Sequence, residues 1–159
     1  MSTLPQRGDM APDFELPAST GETVTLSALR GKPVVLFFYP KDNTPGCTRE
    51  VCGFRDLKAA FDKAGVRVFG VSADSLESHA RFIEGQGLNF PLLSDPAHAM
   101  LTAYGVWGEK KNYGRTYMGT TRATVLIDRR GVVVRSWAKV NVDDHAEMVL
   151  EAARELAGH

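Results

Sequence analysis

The stretch Phe37-Phe38-Tyr39-Pro40-Lys41-Asp42-Asn43-Thr44-Pro45-Gly46-Cys47-Thr48-Arg49-Glu50-Val51-Cys52-Gly53-Phe54 holds both cysteines of the 159-residue chain. Leading into it, Val34-Val35-Leu36-Phe37-Phe38-Tyr39 is apolar throughout, the pattern of a strand covered on both faces. Beyond it, Val51, Phe54, Leu57, Phe61 and Ala64 recur at helical spacing, which predicts a helix from about Thr48 to Ala64, stopped by Gly65. Cys47 therefore falls where a strand hands over to a helix.

The flanking sequence repeats this alternation. Val66 to Ser72 reads as the next strand, and Asp74 with Glu77 reads as the cap of a helix that ends at Gly87. Phe90-Pro91-Leu92-Leu93 is a short strand kept peripheral by its proline, and Asp95-Pro96 opens a helix carrying Met100, Leu101 and Tyr104. Residues 105–120 are rich in glycine and aromatics without a clear period, and are expected to form a long ordered loop, either lining a site or lying on the surface. Arg122–Ile127 and Val132–Trp137 flank Asp128-Arg129-Arg130-Gly131 as an antiparallel hairpin, and Asp144 with Glu147 caps a last helix. Ahead of all this, Ala11–Pro17 and Thr23–Leu26 are short strand candidates at one edge, with Ser27 capping a single turn that ends at Gly31. Parallel strand–helix–strand units followed by a hairpin, with helices on both faces, describe an α/β three-layer sandwich with a mixed central sheet and an N-terminal strand extension, the thioredoxin-like arrangement.

The length suits a single domain, residues 1–159, able to bury a core without disulfides or metals. Lys plus Arg balances Asp plus Glu at 19 each, which gives no support to a nucleic-acid or anionic-membrane partner. The first ten residues lack an apolar segment of signal-peptide length, and no stretch approaches the roughly 20 apolar residues of a membrane span. A cytoplasmic location is expected. In a reducing compartment two cysteines are either inert buried thiols or a redox pair.

A thiol attacks as the thiolate, and the first turn of a helix favours that form because unpaired N–H groups and the helix dipole face the sulfur. Cys47 occupies such a place, with Pro45-Gly46 marking the helix entry. Thr44 is either a ligand to the sulfur or its substrate, or simply a cap. Cys52 follows five residues on, which in an ideal helix separates the Cα atoms by about 8.7 Å, beyond the roughly 7 Å that a disulfide spans. A bond between them would require the first turns to unwind, and Gly53, a poor helix former, would ease this. The spacing also excludes a Cys-x-x-Cys motif. His79, His98, His145 and His159 have no ligand spacing, so no metal is expected; neither a dinucleotide fingerprint nor a phosphate-binding loop is present, so no cofactor is expected.

Pro40-x-x-x-Thr44-x-x-Cys47 resembles the active-site signature of the peroxiredoxins, and Cys47-Thr48-Arg49-Glu50-Val51-Cys52 resembles that of their bacterioferritin comigratory protein or peroxiredoxin Q branch, the atypical two-cysteine type. The likeness extends through Gly8–Phe14, Tyr104–Lys111 and Arg122–Asp128, and so over most of the chain. The resemblance implies a thiol peroxidase without cofactor or metal, in which Cys47 is the peroxidatic cysteine and is oxidised by hydrogen peroxide or an organic hydroperoxide to a sulfenic acid. Cys52 is then the resolving cysteine, closing an intramolecular disulfide that thioredoxin or a similar dithiol protein reduces. By the same resemblance Thr44 and the Cys47 amide bind the peroxide oxygens, Pro40 shields the sulfur, Arg122 supports the thiolate and the leaving oxygen, and the protein is a monomer. Glu50 either orients Arg122 or is a solvated helix carboxylate, and Arg49 and Arg55 are alternative cations. Val51 stands where this branch more commonly has alanine, a change in packing under the turn.

Two other classes of function use the same residues differently. A redox-switched binding or chaperone module would consume one equivalent of peroxide and stop, whereas a peroxidase turns over. A disulfide reductase is disfavoured by the four-residue gap between the cysteines.

Overall fold

Val34–Phe38 forms the middle strand of a five-stranded sheet. The structure, a computed structural model, describes residues 3–157. In chain order the elements are β1 (Glu15–Pro17), β2 (Thr23–Thr25), a 3-10 turn (Leu26–Leu29), β3 (Val34–Phe38), α1 (Pro45–Lys63), β4 (Arg67–Ser72), α2 (Leu76–Gln86), β5 (Leu92–Ser94), α3 (Ala99–Ala103), β6 (Trp107–Asn112), β7 (Arg115–Thr120), β8 (Ala123–Ile127), β9 (Val133–Trp137) and α4 (His145–Ala157). The strand order is β5-β4-β3-β8-β9. The β3–β4 and β4–β5 pairs are parallel, and β3–β8 and β8–β9 are antiparallel. The sheet is mixed in the expected sense.

Side chains alternate across a strand, so an all-apolar strand feeds two cores at once. Val35, Phe37 and Tyr39 pack under α1, α2 and α4 with Phe54, Phe61, Phe82 and Val149. Phe37 stacks on Phe54 with centroids 4.5 Å apart and planes 8° from parallel. Val34, Leu36 and Phe38 face the other way, onto Phe14, Leu101 and Tyr104. Helices on one side, and α3 with the N-terminal segment on the other, complete the three thioredoxin-like layers.

The N-terminal segment runs from one edge of the sheet to the other. At β9, the Gly8 N–H donates to Val133 O at 2.9 Å and the Val133 N–H donates to Asp9 O at 2.8 Å, with a bridge between Met10 and Val132. Phe14 then enters the core. At β5, Ala18 bridges to Leu93 and the Ser19 N–H donates to Leu92 O at 2.9 Å.

Several local expectations change: the single turn spans Leu26–Leu29 with Thr25, not Ser27, in its cap position, and α3 begins at Ala99 rather than at Asp95-Pro96. The first helix starts at Pro45 rather than near Thr48, because proline has no N–H to leave unpaired and its fixed φ suits the first helical position. The cap of α2 is Ser75, whose Oγ accepts the Ser78 N–H at 3.1 Å, while Asp74 turns inward. Residues 105–120 are mostly the paired strands β6 and β7, not a loop. Their turn, Tyr113-Gly114, has φ of 51° and 76°, the double positive φ of a tight two-residue hairpin turn.

Candidate active site

Proline at the first helical position and glycine at the second bring Cys47 into the first turn of α1. Within a helix, N–H groups bond to carbonyls four residues back; Gly46 and Cys47 are too early to find one. A capping side chain would ordinarily take such a donor. Thr44, in the cap position, makes no such bond: its hydroxyl donates to Lys41 O at 2.9 Å. The first-turn amides thus stay available to an incoming oxygen, and the Thr44 Oγ, with its proton committed, offers lone pairs to an O–H group. Of the readings open for Thr44, neither a bond to the sulfur nor a side-chain cap is present, and its hydroxyl is bound to the loop carbonyl instead.

Arg122 immediately precedes β8, the strand antiparallel to β3. That pairing carries the guanidinium to the entrance of α1. Its Nη2 donates to Cys47 Sγ at 3.2 Å and its Nη1 donates to Glu50 Oε1 at 2.7 Å. A Cβ on residue 46 would lie 3.3 Å from Nη2, so glycine there keeps the approach open. The guanidinium is 21 % exposed and the Glu50 carboxyl only 1 %. Burial draws the Arg122 guanidinium down, but the neighbouring Glu50 and Cys47 outweigh it and lift it above the ordinary arginine value. Burial pushes Glu50 up to about 7, against the opposing charge and hydrogen bond of Arg122. Glu50 Oε2 has no hydrogen-bond partner among the described residues. Glu50 is therefore a buried partner of Arg122 and not a solvated helix carboxylate.

Cys47 is wholly buried, whereas Cys52 is half-buried, and both thiols are free. Cys52 Sγ lies 3.6 Å from Gln86 Oε1 as a donor, turned toward the C-terminal end of α2. Helix α1 is continuous through both cysteines, so in this form they are held apart. Gly53 has a further use that its helix propensity does not reveal: a Cβ there would lie 3.3 Å from the Ala146 Cβ, so it lets α4 close against α1. Pro40 is half-buried between buried Tyr39 and exposed Lys41.

The alternative cations are engaged elsewhere. Arg49 pairs with Asp143 at 3.1 Å on the surface, and Arg55 donates to Gln86 O at 2.6 Å and pairs with Asp56. Among the described residues no group of three or more His, Cys, Asp or Glu side chains could hold a metal ion, and no helix is long and apolar enough to cross a membrane. Gln86 beside Cys52, the fit of Gly46 to Arg122, and a buried cluster of Tyr39, Asp42, Ser78 and His79 lie outside what the sequence reading assigned.

Comparison with known proteins points the same way. Residues 7–136 match the model of the AhpC/TSA family. The chain is 47 % identical over 150 residues to peroxiredoxin Bcp of Bacillus subtilis, covering 94 % of this chain and 96 % of that one. Among solved structures, peroxiredoxin Q of Xanthomonas campestris superposes with a TM-score of 0.87 at 43 % identity, covering 97 % of each chain. A structure of the Xanthomonas campestris bacterioferritin comigratory protein, described for its alkyl peroxide reduction activity and trapped intermediate and ligand complexes, has a TM-score of 0.87 at 42 % identity, covering 97 % of this chain and 98 % of that one.

Proposed function

This chain belongs to the AhpC/TSA family, in its Bcp or peroxiredoxin Q group, and is a thiol-dependent peroxidase; we propose that Cys47 is its peroxidatic cysteine and Cys52 its resolving cysteine. The observation that carries this assignment is the Arg122 guanidinium, fixed by buried Glu50 and donating to Cys47 Sγ at 3.2 Å in the first turn of α1.

The chemistry follows from that placement. The Cys47 thiolate attacks one peroxide oxygen; an S–O bond forms, the O–O bond breaks, and the departing oxygen takes a proton to leave as water or an alcohol. Negative charge passes from sulfur to the leaving oxygen, so a cation shared by both positions stabilises the displacement more than the ground state. Arg122 takes this role, the Cys47 amide supplies a second donor, and the Thr44 Oγ accepts from the peroxide O–H. Pro40 limits water at the rim. Cys52 then displaces hydroxide from the Cys47 sulfenic acid; with one proton this leaves as water, and a Cys47–Cys52 disulfide remains. Because an intact helix separates five-residue neighbours by about 8.7 Å, this step requires the first turns of α1 to unwind. Two thiols of a thioredoxin-type protein restore the pair, themselves ending as a disulfide.

A cytoplasmic monomer fits this cycle, since a reducing compartment keeps both thiols available and one chain carries both. Neither assignment calls on a metal or cofactor.

Stopped-flow oxidation with hydrogen peroxide and with an organic hydroperoxide, followed by mass measurement of the products, tests the reading. The wild type is expected to give an intramolecular disulfide and to turn over with a thioredoxin system. Cys52→Ser is expected to stop after one turnover as a sulfenic acid, and Cys47→Ser to be inert. Turnover by Cys47→Ser would refute the assignment.

A further inference from the structure

The loop between β3 and α1, residues 39–44, carries Pro40 and Thr44, yet little apolar burial shapes it. Lys41 and Asn43 are exposed, Pro40 and Thr44 are half-buried, and Asn43 sits in the left-handed region at φ 63°. Between Pro40 and Thr44 the one buried residue is Asp42, a carboxylate 4 % exposed. A carboxylate taken out of water must be met by donors or by an opposite charge, and this one is met on every side. The Tyr39 hydroxyl donates to its Oδ1 at 2.6 Å, the Ser78 hydroxyl donates to its Oδ2 at 2.8 Å, and His79 Nδ1 lies 2.7 Å from that same oxygen. Its backbone N–H donates to Asp74 Oδ2 at 2.9 Å.

His79 is fully buried, and its other ring nitrogen, Nε2, faces Leu93 O at 2.9 Å. Both nitrogens meet acceptors. The ring is thus held from both sides, by the Asp42 carboxyl at Nδ1 and by the Leu93 carbonyl at Nε2. The partners matter by where they sit. Ser78 and His79 belong to α2, and Leu93 to β5. None belongs to α1, the helix whose first turns must open for the Cys47–Cys52 disulfide.

We propose that Asp42 and His79 are positioning residues for peroxide reduction: paired, they pin the Pro40–Thr44 loop to α2 and β5, so that the rim facing the peroxide keeps its shape while the first turns of α1 unwind and refold. This rests on the assignment of Cys47 and Thr44 above. Neither Asp42 nor His79 touches the reacting atoms; they act through the Thr44 hydroxyl and its anchor, Lys41 O.

The test separates the two half-reactions in Asp42→Asn, His79→Gln and His79→Ala, each confirmed as folded by circular dichroism at the assay temperature. A displaced rim is expected to slow Cys47 oxidation by about tenfold or more. Reduction of the preformed disulfide by dithiothreitol, in a state where α1 is already opened, is expected to stay within about twofold of wild type. His79→Gln, which keeps a donor for Asp42, is expected to retain more of the oxidation rate than His79→Ala. Oxidation at the wild-type rate in Asp42→Asn and His79→Gln, or equal slowing of both half-reactions, would overturn the proposal. Cys47→Ser in the same assay reports on the underlying reading: if it turns over, the functional assignment has failed, whereas an inert Cys47→Ser beside unimpaired loop variants removes only this inference.

Discussion

The Arg122 guanidinium reaches Cys47 over the face of residue 46, where a Cβ would stand only 3.3 Å from Nη2. Glycine leaves that passage open at the expense of helix propensity. Gly46→Ala is therefore expected to separate stability from rate. The helix gains about 1 kcal/mol of propensity, so the melting temperature stays at or above wild type. Displacing the cation by a few tenths of an ångström is expected to slow Cys47 oxidation by roughly threefold to tenfold, measured by stopped-flow with hydrogen peroxide.

Three arginines lie on or near α1, and the geometry ranks them. Arg122→Gln removes the donor 3.2 Å from the sulfur and is expected to lower the oxidation rate by roughly 10²–10³-fold, the usual loss for one donor to a developing anion. Arg49→Ala breaks only a surface pair with Asp143, worth about 1 kcal/mol or less, and is expected to leave the oxidation rate unchanged. Arg55→Ala loses its bond to Gln86 O and is likewise expected to spare oxidation. Equal losses in all three would contradict the placement of Arg122.

Two buried groups oppose each other in pH. Burial raises Glu50 to about 7 from an ordinary value near 4.5, so between those values the folded chain holds a proton that the unfolded chain has released, and stability falls as pH rises. His145 is lowered by burial to about 4 from 6.5; there the unfolded chain holds the extra proton, and stability increases with pH. The windows overlap from about 4.5 to 6.5, where the two slopes offset one another. Urea midpoints for Glu50→Gln are expected to climb with pH across this range, and those for His145→Gln to decline, while the wild type is nearly flat. Parallel profiles for all three would contradict it.

Phe54 is expected to set the far limit of the unwinding proposed for α1. Its ring is fully buried and stacked on Phe37, and the next residue is held to Gln86. Phe54→Ala is expected to cost about 3–5 kcal/mol in urea unfolding. Hydrogen exchange of the oxidised wild type is expected to show lost protection before Phe54 and retained protection after it.

The parts of this fold that were legible in the sequence are those set by local pattern. Val34–Phe38 reads as a two-faced strand because both of its faces are apolar, and Cys47 reads as a helix-entry thiol because Pro45 and Gly46 precede it. The β6–β7 hairpin was hidden because its turn begins with Tyr113 instead of the asparagine or glycine that usually accepts positive φ, and because β7 is exposed over most of its length, erasing the alternation. Asp42 and His79 were illegible for a different reason. They lie 37 residues apart, and nothing local marks an aspartate in a loop or a lone histidine on a helix as halves of one buried pair. The partnership of Arg122 with Glu50 spans 72 residues and came from family likeness, not from spacing.

The segment running from Gly8 to Ser19 ties down β9 at one end and β5 at the other. These are the two outer strands, whose unpaired backbone groups would otherwise recruit strands from other molecules. A chain shortened to begin at Thr20 would retain Cys47, Cys52, Thr44 and Arg122, yet expose two open margins together with the hollow left by Phe14. Such a chain would lose itself to aggregation before it lost its chemistry. The opening residues, which contribute no atom to catalysis, thus act as the hem that keeps the sheet from fraying into its neighbours.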